Sequence, residues 1–164
     1  MFDYFKDPAV ETTFSGKLVA WDKELDFAIL DLEGTAPDRR PLRIRRYVLR
    51  KTLDQALGMG VNVLQHPGGK PMRIGFRNNY VILGDGKILT YVTDTDFGSS
   101  GSPVCDDAWA VAALHSGSRG VAHAGVEVNG RKITGENFGT AIGAIMEKLK
   151  TSYPDVYNRI IAVQ

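Results

Sequence analysis

Among the side chains of this sequence that can do covalent chemistry, one serine stands out by its neighbours. Ser100 lies in Gly98-Ser99-Ser100-Gly101-Ser102-Pro103, a run of small residues directly ahead of Val104 and the apolar Val111-Ala112-Ala113-Leu114. A serine hydroxyl attacks a carbonyl carbon when it is bare and a nearby base takes its proton. It also needs backbone N–H donors aimed at the oxyanion that develops in the transition state. Glycine at position 98 lets the backbone turn so that the N–H groups of Gly98 and Ser100 point into one hollow. The same run also makes an ordinary Gly/Ser-rich turn with no chemistry at all. Two other segments give it company: Leu25-Asp26-Phe27-Ala28-Ile29-Leu30 upstream and Ala113-Leu114-His115-Ser116-Gly117 downstream.

Taken together, these segments resemble the trypsin/chymotrypsin-fold serine proteases, and within them a disulfide-free bacterial branch that includes glutamyl endopeptidases. Gln65-His66-Pro67-Gly68-Gly69, Tyr91-Val92-Thr93-Asp94-Thr95 and Asn137-Phe138-Gly139-Thr140-Ala141-Ile142 are similar to that branch too, in the expected order. The resemblance runs from about Ser15 to Leu149. It implies that Ser100 is the nucleophile, that Asp26 orients a histidine, and that Gly98 and Ser100 form the oxyanion hole. It also implies a substrate pocket drawn from Asp94, Thr95, His115, Ser116 and Gly117. By trypsin spacing, Asp94 would attract Lys or Arg. In the bacterial branch, Thr95 and His115 would instead hold a Glu or Asp side chain by a charge-assisted hydrogen bond. Asp94 paired with His115 would raise the imidazole pKa and keep it protonated; a buried, hydrogen-bonded structural His115 is the alternative. Ser99 stands where trypsins keep an aspartate that pairs with a newly cleaved N-terminus. Activation by that ion pair is therefore not expected, and the site is either preformed or controlled by a partner.

The family places its catalytic histidine ahead of the aspartate, at the end of an apolar strand. The three histidines here, at 66, 115 and 123, all follow Asp26. His66 is expected to brace a loop of the second barrel, and His123 to face solvent or serve structure. The resemblance thus implies a chain that begins partway through the first barrel. Residues 1–36 would be a remnant of that barrel carrying the triad aspartate, and 37–164 the second barrel with the nucleophile and a terminal helix. Two functions follow. One is a serine endopeptidase acting on protein or peptide substrates, completed by an upstream segment or a partner chain. The other is a catalytically inactive pseudoprotease that binds peptides or a partner.

Composition narrows the field. Twenty basic against nineteen acidic residues leave a formal charge of +1, which gives no case for nucleic-acid binding. The basic run Arg39-Arg40-Pro41-Leu42-Arg43-Ile44-Arg45-Arg46 reads first as a solvated connector and second as a polyanion site. A single cysteine, Cys105, excludes an internal disulfide and fits a half-buried strand residue. The lack of disulfides favours a cytoplasmic protein, with secretion left open if the start is truncated. No stretch is long and apolar enough for a membrane span. No cofactor is expected, and no metal, because the histidines are far apart and no His/Asp/Glu/Cys cluster has ligand spacing.

The elements that must position these residues read as short strands broken by Gly, Asn and Asp. Thr12–Trp21 and Leu25–Leu32 form a hairpin about Asp22-Lys23-Glu24, and Gly34–Pro41 marks the boundary. Arg46–Leu57 reads as a short helix or an irregular crossing. Val61–Gln65 is a buried strand. Met72–Leu83 and Lys87–Val92 flank the turn Gly84-Asp85-Gly86, and Val121–Val128 and Arg131–Ile133 bracket Asn129-Gly130. Thr140–Lys150 has a helical period, with a further turn or two at Tyr153–Ile161. This predicts an all-β chain: an antiparallel barrel of about six strands, a remnant hairpin and a C-terminal α-helix.

Overall fold

Alternating apolar and polar residues, read through the pleat, set the first element. In the computed structural model, which describes residues 14–34, 40–47, 49–52, 59–76, 79–121, 127–128 and 130–164, strands β1 (Gly16–Asp22) and β2 (Phe27–Leu32) pair antiparallel. Asp22 organises their turn, its Oδ1 accepting the amides of Glu24 and Leu25, each at 2.9 Å. The turn closes on Asp26, whose φ of 49° lies in the left-handed region that Asp tolerates better than most residues.

The barrel strands are β3 (Arg50–Lys51), β4 (Asn62–Gln65), β5 (Arg73–Gly75), β6 (Val81–Asp85), β7 (Ile88–Tyr91), β8 (Pro103–Cys105), β9 (Val111–Gly120) and β12 (Gly135–Ala141). They lie in the order β3-β6-β7-β12-β9-β8-β4-β5, with every pairing antiparallel. The backbone just ahead of β4 then bonds to the backbone entering β6: Val61 N–H donates to Asn79 O at 2.7 Å and Val81 N–H to Met59 O at 2.8 Å. That bridge between Gly60 and Tyr80 joins β4 to β6, so β4, β6, β7, β12, β9 and β8 form a closed ring with β3 and β5 on its flank. Closure leaves fewer open edges than a flat sheet would. Val61, Val63, Val81, Leu89, Tyr91, Val104 and Ala113 fill the interior, each large aliphatic group contributing about 1.5–3 kcal/mol by leaving water.

Several sequence expectations are refined. Met72–Leu83 is two elements, β5 and β6, because β5 pairs with β4 in one register while Tyr80 meets Gly60 in another. Arg46–Leu57 contributes the two-residue β3, while 53–58 lie outside the described residues. The turn at Gly86 is as expected: Asp85 Oδ1 accepts the amides of Lys87 and Ile88, and Gly86 has φ 95°. Gly130, with φ 74°, turns β10 (Glu127–Val128) into β11 (Arg131–Lys132). Val121 N–H donates to Thr134 O, while residues 122–126, His123 included, lie outside the described residues.

Two helices end the fold, α1 (Ile142–Ser152) and α2 (Pro154–Ala162), with Pro154 at the first turn of α2, where its missing N–H costs nothing. Their apolar face lies outside the barrel interior, resting on Leu114 of β9 from the outer side. It covers the hairpin, in a second core of Ala20, Phe27, Ile145 and Leu149 joined by Leu25, Ile29, Tyr153 and Val156. Polar ties reinforce this seam: Lys148 to Asp22 at 2.8 Å, Tyr153 Oη to Trp21 O at 2.9 Å, and Arg159 to both oxygens of Asp31.

Candidate active site

The loop from Asp96 to Ser102 is held by alternate amides. Ser99 N–H donates to Asp96 O, Gly101 N–H to His115 O, and Ser102 N–H to Ser99 O. Among the described residues, the amides of Gly98 and Ser100 have no acceptor. Gly98 and Gly101 both take positive φ, 90° and 82°, which carries the chain through the turn without side-chain strain. Ser100 is exposed, and its hydroxyl makes one long bond, 3.3 Å, to Ser116 O on β9. An exposed hydroxyl beside two uncommitted N–H donors is part of the arrangement that acyl transfer requires.

The turn after β4 braces this loop. Gly68 N–H donates to Phe97 O, and a Cβ at Gly98 would lie 3.0 Å from His66 O and 3.1 Å from Gly69 N. His66 keeps Nδ1 on Lys70 O at 3.0 Å within its own turn, so Nδ1 carries the proton there. Beneath the loop, Ser99 is fully buried and donates from Oγ to Gln65 Oε1 at 2.7 Å. Gln65 Nε2 passes the link on to Asp94 O, also at 2.7 Å. Gln65 was not singled out as a functional residue from sequence; its only signal was its place in the Gln65-His66-Pro67-Gly68-Gly69 phrase.

His115 lies inside the barrel, its Nδ1 2.6 Å from Tyr91 Oη. Burial lowers its pKa and raises that of Tyr91, so both are neutral near pH 7. Of the alternatives for His115, the pairing with Asp94 is not formed, and the buried, hydrogen-bonded imidazole is. Asp94 is exposed and lines a separate hollow with Gln65, Pro67 and Phe76, because β7 points Tyr91 at the imidazole and carries Asp94 past it. Thr95 donates to Asn137 Oδ1 at 2.8 Å, and Asn137 Nδ2 donates to Thr93 O, so this stretch is tied to β12. Phe138 packs near Gly117, and the guanidinium of Arg119, bound to buried Glu136, lies 5.1 Å from the Phe138 ring centre. Beyond His115 the edge of β9 on its β8 side has no strand partner at Ser116 and Gly117 among the described residues, the Ser100 hydroxyl alone reaching Ser116 O.

The turn that carries Asp26 touches β12 through its neighbour Leu25. Thr140 Oγ1 donates to Leu25 O at 2.7 Å, and Thr140 on β12 is paired with Leu114, which precedes His115 on β9. The Asp26 carboxylate itself has no hydrogen-bond partner among the described residues, and Asp22, not Asp26, caps the turn. Cys105 is buried, with its thiol pushed up to about 11 by burial and by Asp106, which makes it unreactive at neutral pH. No group of three or more His, Cys, Asp or Glu able to hold a metal occurs among the described residues.

Against this geometry, comparison with known proteins is direct. The trypsin-like peptidase domain family matches residues 4–114, about two thirds of the chain. The chain belongs to that family. A curated relative of this trypsin-like domain, the uncharacterized protein y4fB of Sinorhizobium fredii (strain NBRC 101917 / NGR234), is 40% identical over 112 residues. The match takes in 62% of this chain but only 16% of that protein. Among solved structures, the Rv3671c protease in an inactive form is similar with a TM-score of 0.58 and 24% identity, covering 87% of this chain and 68% of that one. A serine-to-alanine mutant of Rv3671c from M. tuberculosis H37Rv, also inactive, gives 0.58 and 20%, covering 86% and 67%. At those identities the likeness establishes the fold. No helix among the described residues is long and apolar enough to cross a membrane.

Proposed function

We propose that this trypsin-like domain is the nucleophile-bearing part of a serine endopeptidase, completed by a histidine that a further polypeptide segment supplies. The observation that carries this reading is the exposed Ser100 hydroxyl beside the two uncommitted amides of Gly98 and Ser100. In the completed site Ser100 Oγ bonds to the scissile carbonyl carbon and its proton passes to the histidine. The oxyanion rests on the two amides, and the amine leaves with the proton from the imidazolium. Water then cleaves the acyl-enzyme by the reverse proton path. Asp26 orients the imidazole and stabilises its charge. An extended peptide adds to the free edge of β9 at Ser116 and Gly117, with Thr95 and Asp94 as further candidates for contacts to substrate.

The docking place for the missing segment is the open face of the hairpin. Leu18 and Leu30 are cross-strand partners and are 51% and 57% exposed, with Trp21 beside them at 54%. A two-stranded ribbon with one bare apolar face is marginal alone.

A fluorophosphonate probe tests this. The chain alone should remain unlabelled, and the chain expressed with the preceding coding region, or with the partner that carries the histidine, should be labelled at Ser100. Labelling of the isolated chain at full rate would overturn the missing base. The second reading, a peptide-binding module without catalysis, rests on the partners of the described histidines, Lys70 O for His66 and Tyr91 for His115. It gains if peptide binding persists while labelling fails in every completed form.

A further inference from the structure

Residues 42–45 of the basic run do not form a loose linker. Val111 N–H donates to Arg43 O and Arg45 N–H to Val111 O, which lays Ile44 as a parallel bridge on the start of β9. From the other side, Gln164 at the end of α2 accepts the Ile44 amide on Oε1 at 2.6 Å and reaches Leu42 O with Nε2. The connector thus forms one wall of a half-open trough of about 960 Å³, with α1 and α2 as the other wall. Met146, Tyr157 and Ile161 lie along its floor, Ile161 being 46% exposed. Arg43, Arg46 and Lys150 stand around it. Arg45 is already neutralised by Asp106 at 2.7 Å, and Arg43 spends one N–H on Ala108 O. Arg46 and Lys150 have no partner among the described residues, and Glu147 is the one unpaired acid lining the trough.

We propose that this trough docks an acidic peptide segment of another protein. Its carboxylates meet Arg43, Arg46 and Lys150, and one bulky apolar side chain rests on Met146, Tyr157 and Ile161. Charge complementarity selects an anionic occupant, and the apolar floor between the cations selects one that alternates charge with an apolar anchor. That alternation is a property of peptides. A nucleic-acid strand would want a continuous basic track, which Glu147 and Asp106 interrupt, and an acyl chain would want a longer apolar floor. Both walls are held by hydrogen bonds before any ligand arrives, which lowers the ordering cost of binding. The trough flanks Val111, about 17 Å along β9 from Ser116 at the usual rise per residue, so docking there leaves the Ser100 side free. The proposal does not depend on Ser100 being catalytic.

The test is fluorescence anisotropy on the full chain with a labelled nine-residue peptide of Asp and Glu around a central Trp. Binding is expected to weaken at least tenfold in Arg46→Glu/Lys150→Glu, at least fivefold in Ile161→Asp, and steadily with added salt. The variants should keep the parent's circular dichroism and melting curve, since all three positions lie on the surface. Undiminished binding by the charge-reversed variant overturns the proposal, as does equal binding of a peptide with Lys in place of the acids. Capture of phosphatidylglycerol vesicles or a single-stranded oligonucleotide without capture of the peptide overturns it as well.

Discussion

The barrel and the hairpin finish their surfaces in opposite ways. Around the barrel the strands close through the Gly60–Tyr80 bridge, and the serine loop is completed from within by Gln65, Ser99 and the His66–Gly69 turn. The hairpin has one face covered by helices and one face of exposed Leu18, Trp21 and Leu30. The difference teaches how unequally the two regions are supported. The Gly98–Gly101 loop is held wholly by barrel residues, whereas Asp26 sits on an element whose packing is half borrowed and half open.

That contrast can be broken at its largest point by Phe27→Ala. Phe27 anchors the hairpin to Ile145 and Leu149, and removing a buried ring costs about 3–5 kcal/mol. The hairpin should open while the barrel keeps its stability. Trp21 and Trp109, the two tryptophans, report on the two regions, so single-tryptophan versions followed by fluorescence in urea should show the Trp21 transition moving to lower denaturant and the Trp109 transition staying. A common shift of both would mean that the two cores unfold as one.

Next in size is Gln65→Leu, which removes the acceptor of the Ser99 O–H and the side-chain donor to the Asp94 carbonyl. About 1–3 kcal/mol of stability should go, measured by chemical denaturation. In the completed enzyme, fluorophosphonate labelling of Ser100 should slow, with Gln65→Glu recovering part of the rate. Unchanged labelling would separate the serine loop from this brace.

The smallest effect separates the regions by acid. Burial lowers the His115 pKa below its unfolded value, so its contribution is present above about 6.5 and fades as pH falls below that value. Asp22 is shifted down by its hydrogen bond to Lys148 and by the Leu25 amide, so its contribution holds above about 3.9 and is lost as pH falls below that. His115→Gln should remove the first step from a stability–pH profile, and Lys148→Met should shrink the second. A profile in which neither variant moves its own step would deny the assignment.

What the sequence made legible was local. Gly98–Pro103, the Gly86 and Gly130 turns and the period of α1 are each specified by residues within a few positions of one another. What it hid was lateral. Tyr91 against His115, Gln65 beneath Ser99 and Thr140 on Leu25 O join residues 24, 34 and 115 positions apart. Such partners are set by barrel register, which no short window contains. The two-residue β3 is too brief for any periodicity, and the bridge of residues 43–45 to Val111 was hidden because its partners, β9 and the end of α2, lie far along the chain.

The seam between the hairpin and the helices also has a consequence in time. Tyr153 on Trp21 and Arg159 on Asp31 span 132 and 128 residues, so the hairpin is secured by a helix made long after it. A contact of such long range forms late, because a large loop must close before it is rewarded. The barrel can close on the emerging chain once β12 is out. The arm bearing Asp26 waits until α2 has left the ribosome.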